Sequence, residues 1–306
     1  MKKLILVLIT LLFLTSPCFA VGQAGLEIAV LKAGVGARPL GMGSAFTAIA
    51  DNSDSPYWNP AGLSQIKFHE LSTMQTRLST DTDHYYISYV QPLFGGSLGI
   101  SWIQVGLGDI YETGPTTEAN NEVQQFGVFS YYSNAYLIGY GQEINKSLSW
   151  GITGKYLTSD FAGLVTREGG SAYGYSITPG ILYKPSKQLS IGLKIDEIVN
   201  SQKWGTGTEE RVPPKARLGI AYKFHNPGLT ISGDVTQIMK ENYVPEASVG
   251  GEWKTDGLSI RMGYTNDAMT AGCGFEDRHI RIDYAYVNQL VLSKENVHRI
   301  SLSGKW

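Results

Sequence analysis

The period-two alternation that runs from about residue 145 to the C-terminal Trp306 constrains this chain more than any other feature. In the last segment Ile300, Leu302, Gly304 and Trp306 share one face, and Arg299, Ser301, Ser303 and Lys305 share the other. Successive strand side chains point to opposite faces, so one face meets an apolar medium and the other a polar one. The same division recurs upstream. Leu258, Ile260, Met262 and Tyr264 oppose Ser259, Arg261 and Gly263, and Ile280, Ile282, Tyr284 and Tyr286 oppose Arg281, Asp283 and Ala285. Leu218, Ile220 and Tyr222 oppose Arg217, Gly219 and Lys223, while Leu189, Ile191, Leu193 and Ile195 oppose Ser190, Lys194 and Asp196.

From about residue 66 the pattern predicts 14 strands: 67–77, 83–92, 96–106, 131–142, 147–159, 171–184, 188–198, 213–224, 228–238, 245–254, 257–265, 269–276, 279–289 and 296–306. Most have the 9–11 residues that a tilted membrane strand needs. Connections on one side are tight: Phe94-Gly95, Asn145-Lys146, Pro185-Ser186, Asn226-Pro227, Thr255-Asp256 and Asp277-Arg278. On the other side 107–130, 160–170, 199–212 and 290–295 are longer. Short turns on one rim and long loops on the other is the layout of an outer-membrane barrel, whereas a β-sandwich has no reason to segregate loop length. Tyr and Trp near strand ends, as at Trp253, Tyr264 and Trp306, fit interfacial girdles. The expected fold is therefore all-β: a transmembrane antiparallel barrel over 66–306.

The N-terminus agrees with export. Lys2 and Lys3 precede an apolar run from Leu4 to Leu14, and Thr15-Ser16-Pro17-Cys18-Phe19-Ala20 ends in small residues. This reads as a signal peptide over 1–20, cleaved after Ala20 and too short to span a membrane as a helix. Pro17 before Cys18 argues against a lipid anchor. Without Lys2 and Lys3 the chain carries 23 basic and 27 acidic residues, a net charge of −4, and gives no basic footprint for nucleic acid. Only Cys273 remains, so no internal disulfide forms. Charged residues make up 17%, against about 25% in ordinary soluble domains. The expected partners are the lipid bilayer of a bacterial outer membrane and no nucleic acid.

Residues 21–65 break the alternation. They are rich in Gly and Ala, with a short helix expected near Met42 to Ala50, and read as a plug or hatch before the first strand. The run Gly36-Ala37-Arg38-Pro39-Leu40-Gly41-Met42-Gly43-Ser44-Ala45-Phe46-Thr47-Ala48-Ile49-Ala50-Asp51 leads into Tyr57-Trp58-Asn59-Pro60-Ala61-Gly62-Leu63. This stretch resembles the N-terminal signature of the PorV/PorQ family, a branch of the FadL-like outer-membrane barrels. FadL-type transporters carry a similar Asn-Pro-Ala element in their hatch. The resemblance extends over essentially the whole mature chain, through Gly154-Lys155-Tyr156, Pro213 to Gly219, Arg261 to Tyr264 and Asp283 to Tyr286. Ser44 and Asn52 depart from it, standing where the family more often has Gly and Asp.

What the resemblance implies divides in two, and it is closest on the PorV side, which gives the main expectation, with FadL-type transport as the alternative. The PorV side implies a type IX secretion or assembly component that binds exported protein cargo, with Tyr111, Tyr131 and Tyr132 as loop contacts. The chain is short for that role. The FadL side implies a transporter of long-chain fatty acids or other hydrophobic compounds, with Phe46, Ile49, Trp58 and Leu63 lining an apolar site. In either case Gly41, Gly43, Asp51, Asn59, Pro60 and Ala61 form the hatch motif. Their physical role as turn-formers is sufficient to explain them: the glycines permit conformations closed to other residues, and Pro60 holds Asn59 extended. A barrel with no transport of its own is the third class.

Catalytic patterns carry no weight. Gly95-Gly96-Ser97-Leu98-Gly99 matches a nucleophile elbow in letters, but a tight turn precedes it and a strand follows. Gly34-Val35-Gly36 lacks a third glycine and a strand–helix setting. His69, His84, His225, His279 and His298 have no metal-ligand spacing. Neither an enzyme nor a cofactor is expected, and catalytic and metal residues are none. The lumen face mixes Lys155, Lys194, Arg217, Lys223, Arg261, Arg281 and Arg299 with Asp196, Asp234, Glu246, Glu252 and Asp283. Mixed signs suit an internal network rather than a selective ion pore, which would favour one sign. On facing alone, Ile282→Arg is expected to be harmful and Asp283→Asn mild.

Overall fold

In the computed structural model, residues 28–79, 82–114, 124–163, 170–226, 228–290 and 296–306 are described. The expected leader 1–20 lies outside them, as do 21–27 and the middles of three long connections. Among the described residues, sixteen strands follow three short helices, α1 Ala29–Lys32, α2 Ala37–Gly41 and α3 Ser55–Trp58, and a 3-10 turn at Pro60–Gln65. The strands are β1 Glu70–Ser79, β2 Thr82–Leu93, β3 Gly96–Gly114, β4 Gln124–Asn145, β5 Leu148–Ala162, β6 Ala172–Tyr183, β7 Leu189–Asp196 and β8 Val199–Trp204. They continue as β9 Glu209–Glu210, β10 Lys215–Lys223, β11 Leu229–Ile238, β12 Glu246–Thr255, β13 Leu258–Thr265, β14 Ala268–Glu276, β15 Ile280–Gln289 and β16 Val297–Lys305.

Fourteen of them form the wall. Each pairs antiparallel with its neighbours, β7 pairs directly with β10, and β1 pairs with β16 to close the cylinder. Closure leaves no unpaired edge, which lipid requires because it offers no hydrogen bonds. At the seam His69 and Trp306 exchange backbone hydrogen bonds, and their rings stack 5.8 Å apart. Tyr89 extends that stack at the turn-side rim, where aromatic side chains bridge oil and water. The wall faces follow the alternation. Leu258, Ile260, Met262, Ile282, Ile300 and Leu302 are exposed on the outside, while Arg261, Asp283, Arg299 and Ser301 are buried inside. Ile282→Arg is expected to lower assembled protein in the membrane. An arginine facing lipid at mid-depth costs about 2–4 kcal/mol, and heat-modifiable migration on a gel reads the loss of barrel.

Three details depart from the sequence expectation. The stretch 107–130 is not one loop: β3 runs on to Gly114 and β4 begins at Gln124. A bulge at Leu107–Ile110, with Asp109 at φ 54°, breaks the hydrophobic period there and hides the continuation. The seventh strand is interrupted. Glu197, at φ 56°, separates β7 from β8, which pairs onward with β6 and folds back on β9. The expected helix near 42–50 is absent. The helical turn lies earlier, at α2, and Gly43 (φ 60°) and Ser44 (φ 62°) turn the chain where the helix was expected.

Candidate functional site

Residues 28–66 lie inside the barrel, against the lumen faces of the wall. Their backbone is seated on glycines. A Cβ on Gly250 would lie 2.1 Å from the Met42 carbonyl oxygen, one on Gly263 2.1 Å from the Gly43 nitrogen, and one on Gly192 2.2 Å from the Thr47 oxygen. On the other side of the lumen, a Cβ on Gly141 or Gly151 would lie 2.3 Å from the Pro60 carbonyl group. Any side chain at these points collides with backbone, so the groove exists only because these lumen positions are glycine.

Polar ties then fix the segment. Gly43 donates its N–H to Thr270 Oγ1 (3.0 Å), whose hydroxyl donates to the Gly41 carbonyl (3.0 Å). Gly43 itself has no room for a Cβ, which would lie 2.7 Å from the Tyr264 nitrogen. Asn59 Oδ1 accepts from Ala61 N (3.1 Å), and Asn59 Nδ2 donates to Thr47 O (2.8 Å) and to Ile181 O of β6 (3.1 Å). One amide thus joins both halves of the segment and the wall, and Pro60 and Ala61 complete the buried turn. Asp234 Oδ2 accepts from the N–H groups of Phe46 and Thr47, and Ser301 Oγ accepts from Ala37.

A chain of alternating charges crosses from the segment into the wall. Asp51 meets Arg38 (2.5 Å), and Arg38 makes a two-point contact with Glu252 (2.8 Å each). Glu252 also accepts from Arg261 (2.7 Å). Arg261 meets Asp283 (2.8 Å), Asp283 accepts from Arg281 (3.0 Å), and Arg281 donates to Glu70 (2.9 Å). Ser53 closes the chain on Glu70. Asp51 is half-exposed, whereas Glu70, Glu252, Arg261 and Asp283 are buried and Arg281 is nearly so. A second cluster sits where β7 breaks: Lys155 pairs with Glu197 (2.6 Å), Lys194 pairs with Asp196 (2.9 Å), and Lys194 also donates to the Tyr57 carbonyl (2.9 Å).

Asp54 belongs to neither chain. Oδ2 accepts from Asn52 (2.8 Å), but buried Oδ1 has no hydrogen-bond partner. Burial raises its pKa from 3.8 to about 6. The folded state therefore binds more protons than the unfolded state between about pH 4 and 6, and stability falls as pH rises through that window. Above it the full cost is present, about 3 kcal/mol at about 1.4 kcal/mol per unit. Asp54→Asn is expected to increase hydrogen-exchange protection of residues 36–54 at pH 8 and to leave it unchanged near pH 4. Equal protection of the two proteins at pH 8 would contradict this.

The four residues expected to line an apolar site are all buried in this state: Phe46, Trp58 and Leu63 almost completely, and Ile49 nearly so. Phe46 and Trp58 meet edge to face, 6.2 Å between centroids, with Arg38 over the first ring and Arg217 over the second. Phe46, Ile49 and Trp58 belong to an apolar cluster that takes in lumen residues Met74, Tyr86, Ile103, Leu137 and Leu157 of β1 to β5. The lumen is thus uneven: apolar side chains cluster on β1–β5, although Glu70 of β1, Glu112 of β3 and Lys155 of β5 also carry charge there, and the longest run of ion pairs lies on β12–β15. Leu63 packs separately with Ile66 and Val90.

The expected loop tyrosines are on strands. Tyr111 lies on β3 and Tyr131 and Tyr132 on β4, because these strands run to 19 and 22 residues, well beyond the bounds expected from the sequence. Tyr111 and Tyr132 are exposed, while Tyr131 packs on Phe161 (4.8 Å), next to Trp204 and Phe129. The sequence reading missed Arg38, Glu70 and the wall glycines. Glycine at lumen parity in strand after strand was the available signal for the last.

No known family model matches the chain, and no curated protein is similar in sequence. Solved structures are similar in fold. The Pseudomonas putida toluene transporter TodX superposes with a TM-score of 0.64 at 16% identity, covering 89% of this chain and 97% of that one. The Ralstonia pickettii toluene transporter TbuX gives 0.60 at 13%, covering 91% and 98%. A Pseudomonas aeruginosa FadL homologue gives 0.56 at 12%, covering 89% and 98%. The fold is therefore that of the FadL-type barrels, and PorV/PorQ membership is not distinguished by it.

Proposed function

We propose that this chain is an outer-membrane transporter of hydrophobic compounds, with residues 21–65 as a hatch across the lumen. The observation that supports this best is the uneven lumen. The run of ion pairs tethers the segment through Arg38. The apolar cluster sets Phe46, Ile49 and Trp58 against the wall side chains of β1–β5, where a hydrophobic molecule finds the same surface once the segment shifts. The fold it shares with structures described as toluene transporters supports the same reading.

The test is uptake of radiolabelled toluene and of a long-chain fatty acid by cells with and without the protein. Faster accumulation of either supports the proposal, and identical rates for both reject it. A second reading, a secretion or assembly component binding exported protein cargo, is favoured by one feature. The aromatic group Phe129, Tyr131, Phe161 and Trp204 stands at the loop end of the barrel, and aromatic anchors dominate protein interfaces. A protein retained by the wild type and lost on Phe161→Ala would favour it.

A further inference from the structure

The turn-side mouth of the barrel is ringed by lysines. Lys184, Lys223, Lys254 and Lys305 stand at the turn ends of β6, β10, β12 and β16, in step with the buried lumen residues Leu182, Ala221, Glu252 and Ser303. Strand side chains alternate, so all four point into the mouth rather than towards lipid. The Lys184 ammonium reaches the segment inside the barrel and donates to Gln65 Oε1. Lys67, just before β1, is the fifth.

Among the described residues, two carboxylates serve these five ammonium groups. Lys67 meets Glu143 (3.1 Å), and Lys254 and Lys305 share Glu276. Lys184 and Lys223 have no ion pair among the described residues, and Asp51 is taken by Arg38. The turns do not make up the difference, since Lys146, Lys187 and Arg278 stand there against Asp256 and Asp277. Burial first, then Lys223 and Lys67, hold the Lys184 ammonium below its usual pKa, against the pull of Asp51 and Glu143. At the loop rim, by contrast, Arg211 meets Glu209 and Arg77 meets Asp83. A ring of one sign at an opening with low-dielectric walls focuses its field into the water and draws in the opposite charge.

The geometry selects among anionic partners. Lipid head groups surround the wall from outside, and these side chains point away from them. A small anion meets one or two of the lysines at most. From β6 to β16 there are eight strand spacings, about 38 Å of arc. An extended acidic chain covers that arc, because about twelve residues reach about 40 Å. The approach is from the periplasm, which the turn side of an outer-membrane barrel faces.

We propose that the turn-side mouth is a docking surface for an acidic segment of a soluble periplasmic protein, with Lys184 and Lys223 as the lysines free to pair with it. The carboxylates of that segment match the charge that Glu143 and Glu276 leave over. Complementarity of this kind sets partner choice and association rate more than raw affinity. The inference goes beyond the transporter reading and does not depend on it. On that reading the partner stands where an apolar compound leaves the barrel for water.

The probe is a labelled peptide of about sixteen residues alternating glutamate and glycine, long enough to follow the arc when extended. Its binding to the full-length mature barrel in phosphatidylcholine nanodiscs is read by fluorescence anisotropy, after heat-modifiable migration shows each variant to be folded. Wild type should bind at low salt and release the probe at about 0.5 M, where the Debye length falls to about 4 Å. Lys184→Gln/Lys223→Gln should bind about threefold more weakly. Lys184→Glu/Lys223→Glu should bind at least about tenfold more weakly, because like charges then face the probe. Lys203→Glu/Lys240→Glu, at the loop rim, should bind as wild type does. In cells, a photo-crosslinker at Gln188, beside Lys223, should give a protein adduct that the Lys184→Glu/Lys223→Glu variant loses. Probe binding that is absent, or equal in wild type and that variant, overturns the proposal, and so does the lack of any adduct. Phosphatidylglycerol retained by wild type and lost by the same variant in native mass spectrometry, with probe binding unchanged, assigns the lysines to the inner leaflet instead. None of these results measures uptake, so the transporter reading stands or falls separately.

Discussion

Gly250→Val is expected to dislodge the hatch while leaving the barrel standing. A Cβ at residue 250 would lie 2.1 Å from the Met42 oxygen, 2.8 Å from its carbonyl carbon and 2.9 Å from its Cβ. Backbone cannot rotate aside as a side chain can, so the segment must move as a unit. Overpacking costs about 1–3 kcal/mol where neighbours can give, and here the neighbour is hatch main chain at a tied turn. Gly251→Val is the internal control. It is the same chemistry one residue along, on the lipid face, where the nearest atom to a new Cβ is 3.8 Å away. In planar bilayers Gly250→Val should show conductance steps that wild type and Gly251→Val lack. Silent traces from all three would show that the segment does not occlude the lumen.

Asp283→Asn is expected to destabilise the barrel by about 3–5 kcal/mol, the usual cost of breaking a buried charge pair from one side. Alternation alone made this change look mild, since it only places residue 283 on the lumen face. The contacts of Asp283 argue for a severe effect instead. Asp283 is the one carboxylate shared by Arg261 (2.8 Å) and Arg281 (3.0 Å), and its loss leaves two buried guanidinium groups short of charge. Glu276→Gln offers the contrast. Its partners Lys254 and Lys305 are partly exposed at the rim, where solvent screens the pair and the expected change is below about 1 kcal/mol. Denaturant unfolding followed by tryptophan fluorescence separates the two. Equal midpoints for Asp283→Asn and Glu276→Gln would mean that the charge chain does not hold the wall together.

The wall was legible because a period of two is written into every strand, and burial on one side only makes that period strict. Strand ends were placed to within a few residues wherever a tight turn marked them, as at Phe94-Gly95, where both residues have positive φ. Asp256-Gly257 shows the same geometry, one residue beyond the expected turn. The interruption at Glu197 was not legible. A glutamate gives no sign that its backbone will turn left-handed, and its side chain meets the Lys155 ammonium of β5, one strand beyond β6. The prolongation of β3 and β4 was hidden by the bulge at Asp109, which shifts the alternation by a step.

For the hatch, the motif residues Gly43, Asn59 and Pro60 were visible as turn-formers. Their partners Thr270 and Ile181 were not, because hydrogen bonds spanning more than a hundred residues leave no local pattern. Arg38 lies inside the hatch motif with no local cue to its role. A lone arginine beside Pro39 says nothing until β12 presents Glu252 to it. Arg299 illustrates the converse. Its type and face were read correctly, but its lack of an ion pair among the described residues is a property of the assembled lumen.

The measurement that tests the central claim most directly is native mass spectrometry of the protein extracted from its own membranes in mild detergent. The transporter reading predicts a co-purifying apolar or amphiphilic small molecule, displaced when Gly250→Val loosens the hatch. A protein partner bound in stoichiometric amount, with no small molecule in the barrel, would contradict it and turn attention to the aromatic group around Phe161.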